Sequence, residues 1–140
     1  MNFEDFIKKG HAKRASKDEN LAKSLIEGVK NDLIFLEKLA ITKESARKIM
    51  TNYYDVLRSL LEAISSLDGY KIYLHEAFTY YLKEKGENII SIKFDRFRII
   101  RNKINYYGKD ISIEETIENV NEIKKVINIL MNKYINFNEK

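Results

Sequence analysis

The chain has no cysteine, no proline and only five glycines in 140 residues. Without cysteine it has no disulfide bond, no thiolate metal ligand and no cysteine nucleophile. Proline and glycine are the residues that most often interrupt helices, and both are scarce here. The sequence therefore predicts long helices joined by short connections and held together by an apolar core.

Long apolar runs are also missing. None approaches the roughly 20 residues that a membrane-spanning helix requires, and the first ten residues carry acidic side chains and no signal-type apolar segment. No membrane association is expected, and the cytoplasm is the predicted location. The formal net charge of +4 makes the chain mildly basic. A charge of that size is compatible with nucleic acid but does not select it, since both signs are abundant.

Apolar residues recur at three- and four-residue spacing along most of the chain, which is typical of amphipathic helices. No segment has the pattern of a strand. The fold class predicted is all-α, an antiparallel up-and-down bundle of about five to six helices with a four-helix core. It is expected to form a single domain over residues 1–140. Apart from a short N-terminal helix and a central one, the predicted helices cover residues 17–40, from Thr42 (as N-cap) to Leu67, 72–85 and Ile113–Tyr134.

The densest basic cluster lies between residues 8 and 17. This segment has no sustained apolar stripe, so it is either a loop or the start of the next helix. A solvated surface and a phosphate-contacting patch are both open interpretations.

The stretch Phe94–Lys109 is the most informative part of the chain. Read as a helix, it has an apolar side and a polar side, and Gly108 supplies a residue that commonly ends a helix. The apolar side comprises Phe97, Ile100, Ile104 and Tyr107. The polar side comprises Asp95, Arg98, Asn102, Asn105 and Tyr106, with Arg101 at the border. We expect the apolar side to enter the core and the polar side to face a ligand or a partner.

Common catalytic motifs are absent. The sequence has no phosphate-binding glycine loop, no nucleophile elbow and no zinc-ligand spacing. No metal or other cofactor is expected. The two histidines, His11 and His75, are interpreted as structural or surface residues. Any chemistry is therefore expected on the polar side of the central helix.

The run Leu61–His75, the later Asp-containing helix with Arg101-Asn102 and the Tyr-Tyr-Gly that follows resemble the HEPN domains of archaea and bacteria. This resemblance implies a helical bundle that forms a homodimer, with the arginine-bearing helices of both subunits facing one cleft. It also implies a minimal nucleotidyltransferase as a partner. Many members of the family are metal-independent ribonuclease toxins.

The family motif is an arginine followed by a polar residue, with a histidine four to six residues further along. The resemblance assigns these positions to Arg101, Asn102 and Tyr106, and assigns Asp95 to an upstream acidic residue. Tyr106 thus stands where the family has histidine. Tyrosine, with a pKa of about 10, is a poor base at neutral pH, and a three-unit shift would require about 4 kcal/mol. Nuclease activity is therefore doubtful.

Three functions follow as alternatives. The first is binding of a nucleotide or RNA by Asp95, Arg98, Arg101, Asn102 and Asn105, with Tyr107 nearby. In some HEPN toxins the partner enzyme nucleotidylates a tyrosine just past the histidine, and Tyr107 lies one residue from that position. The second is an endoribonuclease that uses Arg101 with Tyr106 or Asn105. The third is a structural interaction module, whose signature would be an ion pair between Arg101 and Asp95.

Overall fold

The computed structural model describes residues 1–137. Within this range the chain forms an all-α bundle, as predicted, with one very small sheet. No helix in the described part is long and apolar enough to cross a membrane. The elements are α1 (Phe3–Lys8), β1 (Ala12–Arg14), α2 (Glu19–Glu37), α3 (Ala46–Leu67), β2 (Tyr70–Ile72), α4 (His75–Glu84), α5 (Asn88–Tyr107) and α6 (Ile113–Tyr134).

Helix α3 is the centre of the bundle. It packs against α2 along much of its length, and also against α6 and α5, while α4 packs against α5. Apolar side chains are buried on several sides of α3, which explains why it contacts three helices at once. Its largest fully buried side chains meet aromatic residues of α4 and α5 in one continuous core. That core includes Tyr54, Leu57, Leu60, Leu61, Phe78, Phe94 and Phe97.

The expectation that the chain has no strand is wrong. Strands β1 and β2 pair antiparallel, with Ala12 opposite Ile72. The chain reverses after α3 at Gly69, whose φ is +85°, and the Ala15 N–H donates a hydrogen bond to the Gly69 carbonyl. Strands of three residues are too short to show an alternating pattern in the sequence. The helix predicted from residue 72 consequently begins at His75.

The basic segment between residues 8 and 17 contains β1. Lys13 and Arg14 of this strand are exposed, whereas the Ala12 side chain is buried. The Arg14 guanidinium pairs with Glu4 of α1 at 2.7 Å. This ion pair is exposed, so it contributes little to stability.

Two helix starts also differ from the sequence prediction. Helix α3 begins at Ala46, because Thr42 and Ser45 form a turn in which the Ser45 N–H donates to Thr42 Oγ1. Helix α5 begins at Asn88, six residues before Phe94, because part of the predicted connection is helical and buries Ile90 and Ser91. The predicted end of α5 is confirmed. Gly108 has a φ of +62° there.

Candidate functional site

A recess lies between the start of α4 and the C-terminal half of α5, with a volume of about 350 Å³. We call it the α4–α5 recess. Its lining combines two arginines, an asparagine, a histidine and two tyrosines with one carboxylate. The lining residues are Tyr73, Leu74, His75, Glu76, Arg98, Arg101, Asn102 and Tyr106.

Four of the predicted site residues line this recess: Arg98, Arg101, Asn102 and Tyr106. They are spaced by one to four residues along α5, so they lie on one side of the helix. The two arginines therefore share one surface of the chain.

Asp95 lies one helical turn before the recess and orients Arg98. Its Oδ1 accepts hydrogen bonds from Arg98 Nε at 3.0 Å and Nη2 at 2.9 Å, and from Thr79 Oγ1 of α4 at 3.1 Å. Arg98 Nη1 makes no hydrogen bond within residues 1–137. Asp95 thus fixes the guanidinium of Arg98 and leaves one of its nitrogens free to donate.

Arg101 has no carboxylate partner among residues 1–137. Its Nη1 donates to Asn102 Oδ1 at 3.2 Å and, more weakly, to Tyr106 Oη at 3.4 Å. Its guanidinium carbon lies 5.7 Å from the ring centroid of Tyr54. The Nε atom is buried and makes no hydrogen bond within the described residues. Because this atom is closed off from the recess, the Nη groups are the part of the Arg101 guanidinium that can meet a ligand.

The two remaining predicted residues, Asn105 and Tyr107, do not line the recess. Every residue from Asn105 to Asp110 is exposed, and Tyr107 is 75% exposed. The expectation that Tyr107 enters the core with the apolar side of α5 is therefore wrong. Its side chain follows the helix periodicity, but within residues 1–137 no element buries it, although Ile104 of the same turn is buried.

His75, which the sequence analysis interprets as a structural or surface residue, lines the recess. It is the first residue of α4, and its Nδ1 lies 3.1 Å from Tyr54 Oη. Partial burial, together with the positive charges of Arg58, Arg101 and Arg98, lowers the pKa of His75 to about 4. The imidazole is therefore uncharged at neutral pH.

The hydrogen bond to Tyr54 also determines which nitrogen of His75 carries the proton. Tyr54 is fully buried, and burial raises the pKa of its hydroxyl far above neutrality. That hydroxyl makes no other hydrogen bond within residues 1–137, so its proton has no other acceptor there. Tyr54 therefore donates to Nδ1, and the proton of the neutral imidazole resides on Nε2.

Sequence reasoning missed His75 and Tyr73 because both reach the recess through a tertiary contact. The chain reversal at Gly69 and the β1–β2 pairing bring the start of α4 beside α5. The only local signal was the Asp68-Gly69 break shortly before them. That signal predicts a turn but not what lies opposite it.

A groove between α2 and α3 is different in character. It has a volume of about 290 Å³ and is lined by Asp32, Asp55 and neutral residues, with no lysine or arginine. Burial raises the pKa of Asp55. Because its charged groups are acidic, this groove does not suit an anion.

Within the described part of the chain, no three His, Cys, Asp or Glu side chains converge into a group that could hold a metal ion. No protein-family model matches this chain, and neither a curated protein nor a solved structure matches it significantly.

Proposed function

We propose that the α4–α5 recess binds the phosphate of a nucleotide or of RNA, and that the chain is a HEPN-like binding protein. The observation that carries this proposal is that the Arg101 guanidinium, which has no carboxylate partner within residues 1–137, lines the recess beside the partly free guanidinium of Arg98. Arginine forks match the geometry of phosphate oxygens.

The start of α4 supplies further donors on the opposite side of the recess. The first N–H groups of a helix have no intrahelical partner and attract anions. Leu74, at the N-cap of α4, provides no side-chain hydrogen bond to them. The backbone N–H groups of His75 and Glu76 are therefore available to a ligand. Two arginines and a helix N-terminus facing one recess favour binding of an anion over a purely structural role.

Binding is also favoured over RNA cleavage. A ribonuclease of this kind requires a group that takes a proton from the attacking 2′-hydroxyl. The resting imidazole of His75 has its proton on Nε2 and its Nδ1 occupied by Tyr54, so it is a donor rather than a base. Tyr106 Oη already accepts from Arg101. The recess thus has groups that bind phosphate, and neither His75 nor Tyr106 is a ready base.

A titration of the full chain with a nucleoside monophosphate and with a short single-stranded RNA tests this proposal. Saturable binding is expected, and it should weaken as salt is raised because the contacts are ionic. Absence of binding to both ligands at low salt would contradict the proposal.

The homodimer implied by the HEPN resemblance is part of the proposal, as is a nucleotidyltransferase partner. Ile92, Ile99 and Tyr106 are spaced by seven residues on one side of α5 and are 67%, 42% and 70% exposed. This exposed stripe continues into the recess, so a second copy packed along it would bring two recesses together.

Light scattering on the purified chain measures the dimer directly. A mass of two chains is expected, and an Ile99→Lys variant should shift it toward one chain by placing a charge in the apolar stripe. A wild-type mass of one chain at high protein concentration would contradict the dimer while leaving the recess proposal intact.

A further inference from the structure

We propose that the α4–α5 recess recognises a terminal phosphomonoester of a ribonucleotide rather than an internal phosphodiester. This inference rests on the proposed phosphate-binding function and specifies its ligand class. A phosphomonoester has three free oxygens and is a dianion when fully ionised, whereas a phosphodiester has two free oxygens and one negative charge.

The hydrogen bonds inside the recess engage acceptors and leave donors free. Asn102 Oδ1 and Tyr106 Oη both accept from Arg101 Nη1, and His75 Nδ1, 3.1 Å from Tyr54 Oη, is assigned as the acceptor of that pair. The Asn102 amide N–H groups, the Tyr106 hydroxyl proton and the His75 Nε2–H are then free to donate, while each of the two oxygens keeps one lone pair.

These donors add to the free nitrogens of the arginines and the start of α4. Arg101 Nη2 and Arg98 Nη1 are unpartnered within residues 1–137, and the α4 N-terminus has no side-chain cap. A surface composed almost wholly of donors favours a ligand with many acceptors and no proton of its own. Among phosphate groups, the terminal dianion meets both conditions best.

Two other residues of the recess suit the nucleoside part of such a ligand. Glu76 makes no ion pair or side-chain hydrogen bond within the described residues, so its carboxylate is free to accept from ribose hydroxyls. Tyr73 is 59% exposed at the edge of the recess and offers a ring on which a base can stack. The volume of about 350 Å³ lies within the range of small-ligand sites.

The pH dependence of binding should be set by protonation of the ligand's phosphate rather than by protonation of the protein. The charged and titratable groups in and around the recess are Arg58, Arg98, Arg101, Glu76, His75, Tyr54, Tyr73 and Tyr106, with Asp95 paired to Arg98 and Asp55 near Arg101. The arginines keep their charge, and protonation of a carboxylate or of His75, whose pKa is about 4, would favour an anion rather than weaken its binding. The dianion of a phosphomonoester takes up a proton with a pKa of about 6. Affinity should therefore drop progressively as the pH is lowered from 7 to 5.

The test is isothermal titration calorimetry on the full chain with adenosine 5′-monophosphate, its phosphate methyl ester and adenosine. The monophosphate is expected to bind at least about tenfold more tightly than the methyl ester, since it supplies one more charge-assisted acceptor. Equal affinities for the two would overturn this inference and leave the proposed function standing. Absence of binding to all phosphate-bearing probes would instead remove the proposed function and this inference with it.

Two RNA probes of one sequence, with and without a 5′-phosphate, distinguish the source of the phosphomonoester. Tighter binding of the 5′-phosphorylated RNA than of both the unphosphorylated RNA and the free monophosphate identifies an RNA end, and tighter binding of the free monophosphate than of either RNA identifies a free nucleotide. Both results support the inference. Equal affinity for the two RNAs, together with tighter binding of RNA than of the monophosphate, would overturn it.

A His75→Ala variant tests whether the Nε2–H group of His75 donates to the phosphate. It should weaken binding of the monophosphate about tenfold and binding of the methyl ester much less. A His75→Gln variant, whose amide can donate, should restore part of the affinity. His11→Ala is the matched control, since the other histidine lies outside the recess. Unchanged monophosphate affinity in folded His75→Ala protein would show that His75 is not a ligand donor.

Discussion

Replacing Arg101 by alanine should lower the affinity for a nucleoside monophosphate about 100-fold, because about two charge-assisted hydrogen bonds are lost. The stability of the protein should change by less than about 1 kcal/mol, since Arg101 has no carboxylate partner and only neutral hydrogen bonds within the described residues. Calorimetric titration and thermal unfolding of the same preparations measure both quantities.

Lys103→Ala is the matched control for this variant. Lys103 lies on the same helix and is exposed, but it does not line the recess. Its replacement by alanine removes the same formal charge as Arg101→Ala. Its loss should weaken binding no more than about threefold at physiological salt, because exposed charges are screened. Arg101→Lys should give an intermediate affinity, since lysine keeps the charge without the fork. Equal losses in Arg101→Ala and Lys103→Ala would mean that net charge, and not the recess, determines binding.

Replacing Phe94 by alanine should destabilise the fold by about 3–5 kcal/mol, the usual cost of emptying a large aromatic site in a packed core. Phe94 is fully buried. Its ring stacks on Tyr54 with centroids 5.6 Å apart and meets Phe78 edge-on at 6.1 Å. Urea unfolding followed by circular dichroism gives the free energy of unfolding.

Tyr54, which stacks on Phe94, also forms a hydrogen bond with His75 in the recess. Phe94→Ala protein that remains folded should therefore bind phosphate more weakly than wild type.

Ile89→Ala is the control. Ile89 lies near the start of the same helix but is 72% exposed, so its truncation should change stability by no more than about 0.5 kcal/mol. A Phe94→Ala loss below about 1 kcal/mol would contradict the assignment of Phe94 to the core that supports the recess.

The helices could be predicted because their apolar residues repeat over many turns. In α3, residues such as Leu57, Leu60 and Ile64 recur at the spacing of one helix side and are buried as expected. The polar side of α5 could be predicted for the same reason. A periodic pattern places side chains relative to their own helix, and that was sufficient to group Arg98 with Arg101.

The remaining features depend on contacts between distant parts of the chain. The three-residue strands carry no periodic signal, and His75 enters the recess only because the segment after α3 folds back toward α5. For Tyr107 the periodic pattern was present but did not predict burial. Tyr107 lies on the apolar side of α5 by periodicity, but it is exposed because the described part of the chain places no element over it.

The central claim is that Arg98 and Arg101 hold a phosphate against the start of α4. A crystal structure of the protein with a nucleoside monophosphate tests it most directly. Phosphate oxygens are expected within hydrogen-bond distance of the Arg101 Nη groups and of the α4 N-terminus. A phosphate bound at the basic segment between residues 8 and 17, with the recess unoccupied, would contradict it.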